Sequence, residues 1–315
     1  MKKYFLHAFF TACLLGLCTL GCQKDSDIEQ IDDTAPAIFA DTIKVIGTPS
    51  TDEVQFPVQK KFSCQSGLIY GDSVLQVDEN KGNKDQIILP VGNGSPGKYL
   101  SWPKGLSIDS ITGAINVSRS DQGARYVVGF VPIDGKDTCL QYVIISGVSY
   151  LDGIYSLSEQ DTLVRPIYDA NPSKAPFCDE SGADDYFEFG KGKGNDKCVF
   201  DGKGKDGKEQ KLNKKKIRIR SISGIIDLKY TLASGAFGAS PRNGQEVRAV
   251  LSYQLNKNGK KALQELEMVF VYYKSRADIP QDLQDYIANS RQNILNFNIA
   301  SFYGRPRPPL IVIVN

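Results

Sequence analysis

Seven cysteines and a single histidine are the residues of this chain best suited to covalent or metal chemistry. His7, Cys13 and Cys18 all lie in an apolar run over residues 4–20, preceded by Lys2 and Lys3. A charged start followed by such a run is the pattern of a secretory signal peptide, and the run is shorter than the ~20 residues a membrane span needs. With residues 1–21 read as the signal peptide, the mature chain carries no histidine. That excludes Ser-His and Cys-His nucleophile pairs and nearly all catalytic zinc sites, which draw on imidazole. There is also no Gly-x-Ser-x-Gly, phosphate loop or dinucleotide fingerprint. The expectation is a protein that is not an enzyme and has neither cofactor nor metal. The chemistry still open to it is that of a histidine-free carboxylate hydrolase, which needs only two acids at the right separation, and nothing in the sequence marks such a pair.

Cys64, Cys139, Cys178 and Cys198 remain in the mature chain, and none has the Cys-x-x-Cys spacing of a zinc ribbon or redox motif. Four thiols allow three pairings. Two fall on each side of a domain boundary at 148/149, so two intradomain disulfides are expected, Cys64 with Cys139 and Cys178 with Cys198, formed in an oxidising compartment.

The remaining cysteine is Cys22, at the end of Thr19-Leu20-Gly21-Cys22. A small residue followed by cysteine at the end of a signal peptide resembles the lipobox of bacterial lipoproteins. In that family the cysteine thiol is acylated and becomes the mature amino terminus. The family's usual leucine three residues before the cysteine is Thr19 here. The resemblance implies Cys22 as the lipid attachment site. Residues 22–37 then read as a polar, acidic tether with little to bury. Their opening Gln23-Lys24-Asp25-Ser26-Asp27 is similar to the export signal of Bacteroidota-type surface lipoproteins, which implies an outer-membrane, lipid-anchored and surface-exposed location.

Of 38 Lys and Arg residues, 36 remain once Lys2 and Lys3 are removed, against 36 Asp and Glu. A balanced chain has no global field for nucleic acid. Two local clusters stand out. Asp179, Glu180, Asp184, Asp185 and Glu188 form an acidic stretch that lacks the order of a calcium loop. Lys203, Lys205, Lys208, Lys211, Lys214, Lys215, Lys216, Arg218 and Arg220 form a basic one, with Phe200 the only aromatic near it in sequence. The basic stretch could meet acidic lipopolysaccharide or an acidic glycan, or pair with the acidic stretch across the Cys178–Cys198 region. Residues 201–207, Asp-Gly-Lys-Gly-Lys-Asp-Gly, place lysines where a calcium loop would have carboxylates and read as a mobile hairpin tip.

These residues must be positioned by a mainly β chain, because glycine-rich turns separate short runs rich in Tyr, Phe, Val and Ile. In residues 38–148 candidate strands lie at 42–45, 54–58, 86–91, 113–117, 125–130 and 140–145. Leu106 and Ile108 alternate, residues 109–113 turn, and Ile115 and Val117 alternate on the return, with Gly113 supplying the positive φ. A second turn at Gly123 feeds Tyr126 and Val128. Pro103, Gly105, Leu106, Asp109, Thr112, Gly113, Ile115, Gly123 and Tyr126 resemble the immunoglobulin-like and cadherin-like repeats of bacterial surface proteins. That resemblance covers under a tenth of the chain and implies an Ig-like β-sandwich, a fold that serves as spacer or binding platform. Trp102, the only tryptophan, is expected at its core or edge.

Residues 149–315 read as a larger, mainly β (α+β) domain. Its candidate strands lie at 154–157, 162–167, 186–189, 216–221, 225–232, 246–255 and 265–273, with an Asn-Gly hairpin cue at 256–259 and a terminal apolar strand at Leu310–Val314. One helix is expected near 280–295, where Leu283, Tyr286, Ile287, Ile294 and Leu295 recur at helical spacing behind Pro280. Sugar rings stack on aromatic faces, which makes Tyr186, Phe187, Tyr272, Tyr273 and Tyr303 candidate ligand residues. Strand alternation predicts one ring of each adjacent pair inward and one outward. The functional expectation is a non-enzymatic surface lipoprotein that binds a polysaccharide or an envelope protein. Its alternative is a pilus or envelope-assembly subunit whose terminal strand pairs with another protomer.

Overall fold

The turn at residues 109–113 sets the geometry of the first sheet pair. The Asp109 carboxylate accepts hydrogen bonds from the amides of Ile111 and Thr112 at 3.0 and 2.7 Å. Gly113, at φ +71°, donates back to the Asp109 carbonyl at 2.9 Å. The chain therefore reverses and brings Ile108 opposite Ile115, as the alternation predicted. This computed structural model describes residues 70–72, 74–78, 85–91, 96–133, 139–159, 162–178, 198–208, 211–257, 260–296 and 308–315. The chain divides into two compact units, Met1–Ala35 and Pro36–Asn315, and every described residue belongs to the second. The expected strands at 42–45, 54–58 and 186–189, the acidic stretch 179–188, Cys22 and Cys64 lie outside the described residues.

In the N-terminal part, strands β1 (Val74–Leu75), β3 (Gly97–Trp102), β5 (Ala124–Pro132) and β6 (Cys139–Ile145) form one sheet in the order β1-β6-β5-β3. Strands β2 (Ile87–Ile88) and β4 (Ile115–Asn116) form a second, antiparallel pair. Tyr126, Val128, Phe130, Val143 and Ile145 of the larger sheet share one core with Ile115 and Val117. Full burial of aliphatic side chains of this size contributes about 1.5–3 kcal/mol each. At the start of β5 the Tyr126 hydroxyl donates to the Asp121 carbonyl at 2.9 Å. This is the tyrosine corner of immunoglobulin-like sandwiches, and with the crossed strand order it supports the sandwich on internal grounds. Strand β3 was missing from the sequence reading, because only Tyr99 and no alternating set is buried along it.

The C-terminal part is built on a five-stranded mixed sheet. Its members are β8 (Gly153–Ser156), β11 (Cys198–Phe200), β14 (Gln245–Lys257), β15 (Lys260–Tyr273) and β16 (Leu310–Val314), in the order β11-β14-β15-β16-β8. β14 and β15 pair antiparallel from Gln245 opposite Tyr272 to Lys257 opposite Lys260, as the Asn-Gly cue predicted. β16 runs parallel to β15 on one side and to β8 on the other. All five of its residues are buried, which is why it reads as a continuous apolar run. Helix α3 (Gln281–Asn296) covers one face through Leu283 and Ile287, packed on Val269, Val271, Tyr273 and Val312. The other face meets β7 (Val148–Tyr150), β9 (Leu163–Val164), β10 (Pro166–Tyr168), β12 (Arg218–Ile219), β13 (Ile226–Asp227) and two short helices, α1 (Lys211–Lys214) and α2 (Leu228–Ala233).

Two expectations are corrected here. Residues 225–232, read as one strand, form a two-residue strand and then α2, because Asp227 caps the helix by accepting from the Tyr230 amide at 2.8 Å. Tyr272 and Tyr273 do alternate, but neither ring reaches solvent: each is 5% exposed. The sheet is covered on both faces, so Tyr272 enters one core and Tyr273 the other.

Candidate functional site

Strand β15 changes character along one face. Val269, Val271 and Tyr273 lie under α3, whereas Glu267 and Glu265, two and four residues before Val269 on the same face, lie beyond its cover. Against this charged half comes the loop 118–122 of the sandwich. A cleft of about 230 Å³ opens between them, lined by Arg119, Asp121, Gln122, Lys205, Glu265 and Glu267 among others. It is smaller than the ~300–1,000 Å³ of drug-sized sites, so it suits one small polar unit or one residue of a polymer.

Each wall is fixed by its own hydrogen bonds. The Ser120 hydroxyl accepts from the Ser107 amide at 3.0 Å and donates to the Asn116 carbonyl at 2.7 Å. Arg119 is held by Asp85 at 2.7 Å and keeps most of its side chain in solvent. Across the cleft the Glu265 carboxylate accepts from Lys211 Nζ at 3.0 Å, the Lys205 amide at 3.3 Å and the Ser252 hydroxyl at 3.3 Å. Burial would raise the Glu265 carboxyl, but the Lys211 ammonium outweighs it and holds the group below the ordinary carboxylate range. A carboxyl held ionised in this way has the form of a nucleophile or base rather than of a general acid. Gln122 is buried, and its carbonyl oxygen has no hydrogen-bond partner.

Loop 201–208 reaches the cleft because Gly204 permits it. A Cβ there would sit 2.6 Å from the Ser252 hydroxyl and 3.0 Å from both Glu265 and Lys211. The loop's base is Asp201, which accepts from the amides of Leu212 and Asn213 at 2.9 Å each and thereby starts α1. The segment expected as a mobile hairpin tip is instead docked on the sheet, with Gly204 against Ser252 and the Lys205 amide on Glu265. Its Lys205 lines the cleft, and Lys211, at the start of α1, holds Glu265.

A second polar cluster fixes how the sandwich meets the sheet. Asp169 accepts from the Ser146 hydroxyl at 2.7 Å and the Gly147 amide at 3.3 Å on the connecting segment. It also accepts from Lys174 Nζ at 2.5 Å and from Lys257. Burial alone would raise this carboxyl. The hydrogen bonds from Lys174, Lys257 and Ser146 outweigh it and hold it below its ordinary value. Beside it the Tyr253 hydroxyl accepts from the Val148 amide at 3.1 Å, and Gln264 donates to the Ser146 carbonyl at 3.4 Å.

Two other carboxyls are pushed up to about 6 by burial, Asp152 and Asp201. Neither lines the cleft. Asp152 accepts from the Ser290 hydroxyl at 2.6 Å and the Leu310 amide at 2.7 Å, joining α3 to the start of β16. Among the described residues no group of acidic, Cys or His side chains could hold a metal ion, and no helix is long and apolar enough to cross a membrane.

Of the residues singled out in the sequence, Cys178 and Cys198 form a disulfide with Cα atoms 5.7 Å apart. Cys139 is buried in the sandwich core, and its expected partner Cys64 lies outside the described residues. Tyr186, Phe187 and Tyr303 also lie outside them. Tyr272 and Tyr273, being buried, are withdrawn as stacking platforms. Gln122, Glu265 and Glu267 were not found from sequence, since no motif joins residues some 145 positions apart. Only the odd pair of acids at 265 and 267, beside an apolar run of the same parity, hinted at an uncovered face.

No protein-family model matches the chain, and no characterised protein matches it. Among solved structures, the chain is similar to the first two cadherin repeats of human protocadherin-24, at 10% identity over 62% of this chain and 90% of that one, with a TM-score of 0.19. It is also similar to extracellular domains 3–5 of Drosophila OTK, at 6% identity over 67% and 66%, TM-score 0.19. Repeats 21–23 of human CDH23 give 8% identity over 67% and 70%, TM-score 0.17. Likenesses this weak carry no argument. The immunoglobulin-like assignment of the N-terminal part rests on its strand order and on Tyr126.

Proposed function

We propose that the chain is a non-enzymatic lipoprotein of the outer cell surface, anchored through Cys22, which holds a polysaccharide or another polar envelope partner in the cleft between its two β parts. In this reading residues 22–37 are the tether, 38–148 the sandwich and 149–315 the larger β domain. The observation that carries the proposal is the cleft itself. Its walls carry Arg119, Asp121, Gln122, Lys205, Glu265 and Glu267 beside the serines at 118 and 120, a mixture suited to many small hydrogen bonds with a polyol. The strand-addition alternative loses its strongest element, because both edges of β16 are already paired within its own sheet.

The experiment is retention on a panel of immobilised polysaccharides by the secreted chain and by Gln122→Leu and Glu267→Lys variants. Retention by the parent that falls in both variants supports the reading. No retention on any member, or retention that ignores both substitutions, refutes it.

A further inference from the structure

Strands β3, β5 and β6 turn only one of their two faces to the sandwich core. Tyr99, Tyr126, Val128, Phe130, Val143 and Ile145 point into that core. Strand alternation and register then fix what stands on the opposite, outer face. Leu100, Gly129 and Leu140 lie side by side across the three strands, and Trp102, Val127 and Tyr142 do so one row on. The next row brings Arg125 to Ile144 and, on β1, to Val74. At the far end Lys98 lies beside Val131.

An antiparallel sheet with a solvated outer face alternates apolar-in with polar-out. This one does not: Lys98 and Arg125 are its only charged outward residues, and no carboxylate stands among them. The Arg125 guanidinium carbon lies over the Tyr142 ring, 5.7 Å from its centroid. Leu100, Val131, Leu140 and Ile144 are half-buried, and among the described residues none of them belongs to or packs on any of the three cores. Rows on one face repeat about every 6.8 Å and strands lie about 4.8 Å apart, so four rows on three strands cover about 400 Å² in projection. An apolar patch of that extent marks an interaction surface.

The composition selects the occupant. A polyol would find few hydrogen-bonding groups on the face, whereas an apolar face complements itself. A two-fold axis through it closes the assembly at two copies. With residues 1–21 removed, 36 basic residues stand against 36 acidic ones, so copies of the chain do not repel one another through net charge. Trp, Tyr and Arg, all present here, are the side chains enriched at protein interfaces. Two such faces together bury about 800 Å² in projection and more once side-chain relief is counted, which is the low end of specific interfaces at about 1,200 Å². We infer that this outer face is the interface of a weak, symmetric dimer of the chain, packed sheet on sheet through the rows of Leu100 with Leu140 and Trp102 with Tyr142. The dimer uses neither the cleft nor its ligand.

The test is sedimentation equilibrium of the full secreted chain, carrying Cys22→Ser so that no lipid contributes, over about 1–200 µM protein. A reversible monomer–dimer equilibrium within that range is expected. Trp102 is the only tryptophan, so its quenching by acrylamide should fall as the dimer forms. Leu100→Lys and Leu140→Lys should each weaken association by at least about tenfold, because the interface would desolvate an unpaired ammonium, while leaving the urea midpoint at the parent's value. A parent that stays monomeric throughout overturns the dimer, as does a dimer that persists in both variants. If the parent is monomeric, quenching ignores concentration and the lysines lower the urea midpoint, the face is covered within the chain itself and the dimer is refuted. Protection of Trp102 that requires anionic phospholipid vesicles rather than added protein assigns the face to a membrane and refutes it as well.

Discussion

Replacing Asp169 with alanine tests whether the junction is a built clamp. The substitution removes the acceptor of the Ser146 hydroxyl and the Gly147 amide, and leaves Lys174 and Lys257 without their shared carboxylate. Every one of these bonds ends on an ionised carboxylate, and hydrogen bonds to charged groups contribute about 1.5–3 kcal/mol each, less where solvent reaches them. Lys174 keeps 37% of its side chain exposed and recovers much of its hydration, so its share is discounted. Asp169 also sits at φ +52°, a conformation aspartate tolerates better than alanine. Removing one partner of a buried, hydrogen-bonded charge pair costs about 3–5 kcal/mol, and a loss of that order is expected, read as a lowered urea midpoint at pH 7. A double-mutant cycle with Lys257→Met should return a coupling of about 1–3 kcal/mol. The sign with pH is fixed by the carboxyl being held below its ordinary value. The stability it contributes is fully present above the unfolded value near 3.9 and is lost as pH falls through the folded one, so parent and variant should converge in acid. A loss under about 1 kcal/mol at pH 7, or a difference that persists unchanged in acid, refutes the clamp.

Asp152 should behave in the opposite sense. Its folded carboxyl is raised to about 6, so it favours the folded state in acid, and that advantage disappears as pH rises from about 4 to about 6. Asp152→Asn should flatten stability over that window, and an undiminished slope in urea titrations would count against it. Removing the Cys178–Cys198 bridge with paired serines should cost about 3 kcal/mol by loop entropy, because the bridge spans a separation of 20 residues. Equal midpoints with and without reductant would refute that. Gly204→Val should push loop 201–208 off Ser252 and Glu265 and open the cleft, seen as lost polysaccharide retention with little change in urea midpoint. Metabolic labelling with a fatty acid should mark the parent and not Cys22→Ser, and label surviving in the variant would sink the anchor.

The parts legible in the sequence were those specified by neighbours. Residues 106–117 announce their hairpin through alternating aliphatics around a turn that Asp109 and Gly113 close themselves. Helix α3 and strand β16 follow from periodicity and from an unbroken apolar run. Where the outcome depends on what lies across a sheet, local pattern fails. Tyr272 and Tyr273 look like an inward and an outward ring until α3 is laid over the second face. Residues 225–232 carry an apolar run that suits either a strand or a helix, and the Asp227 cap decides it. The polar contacts that define the junction join residues far apart in the chain, as Tyr253 with Val148 and Gln264 with Ser146 do, and no spacing rule reaches that far.

The cleft and the cover of the sheet have one origin. α3 covers the half of β15 that carries Val269, Val271 and Tyr273, and charged side chains begin where its cover ends. Leaving that second half apolar would have made an adhesive patch, while burying charges there without partners would have cost several kcal/mol each. The chain meets both constraints by bringing the 118–122 loop and the 201–208 loop over the charged half. Lys211 neutralises Glu265, and Gly204 lets backbone approach the strand. Seating the sandwich there requires the connecting segment to be pinned, which is what Asp169, Tyr253 and Gln264 do at Ser146, Gly147 and Val148. The polar cleft is therefore the form the interface takes when a mixed sheet is covered by a helix on one half and by a second β layer on the other. Any variant that loosens the clamp should weaken retention of a cleft ligand before it unfolds either core.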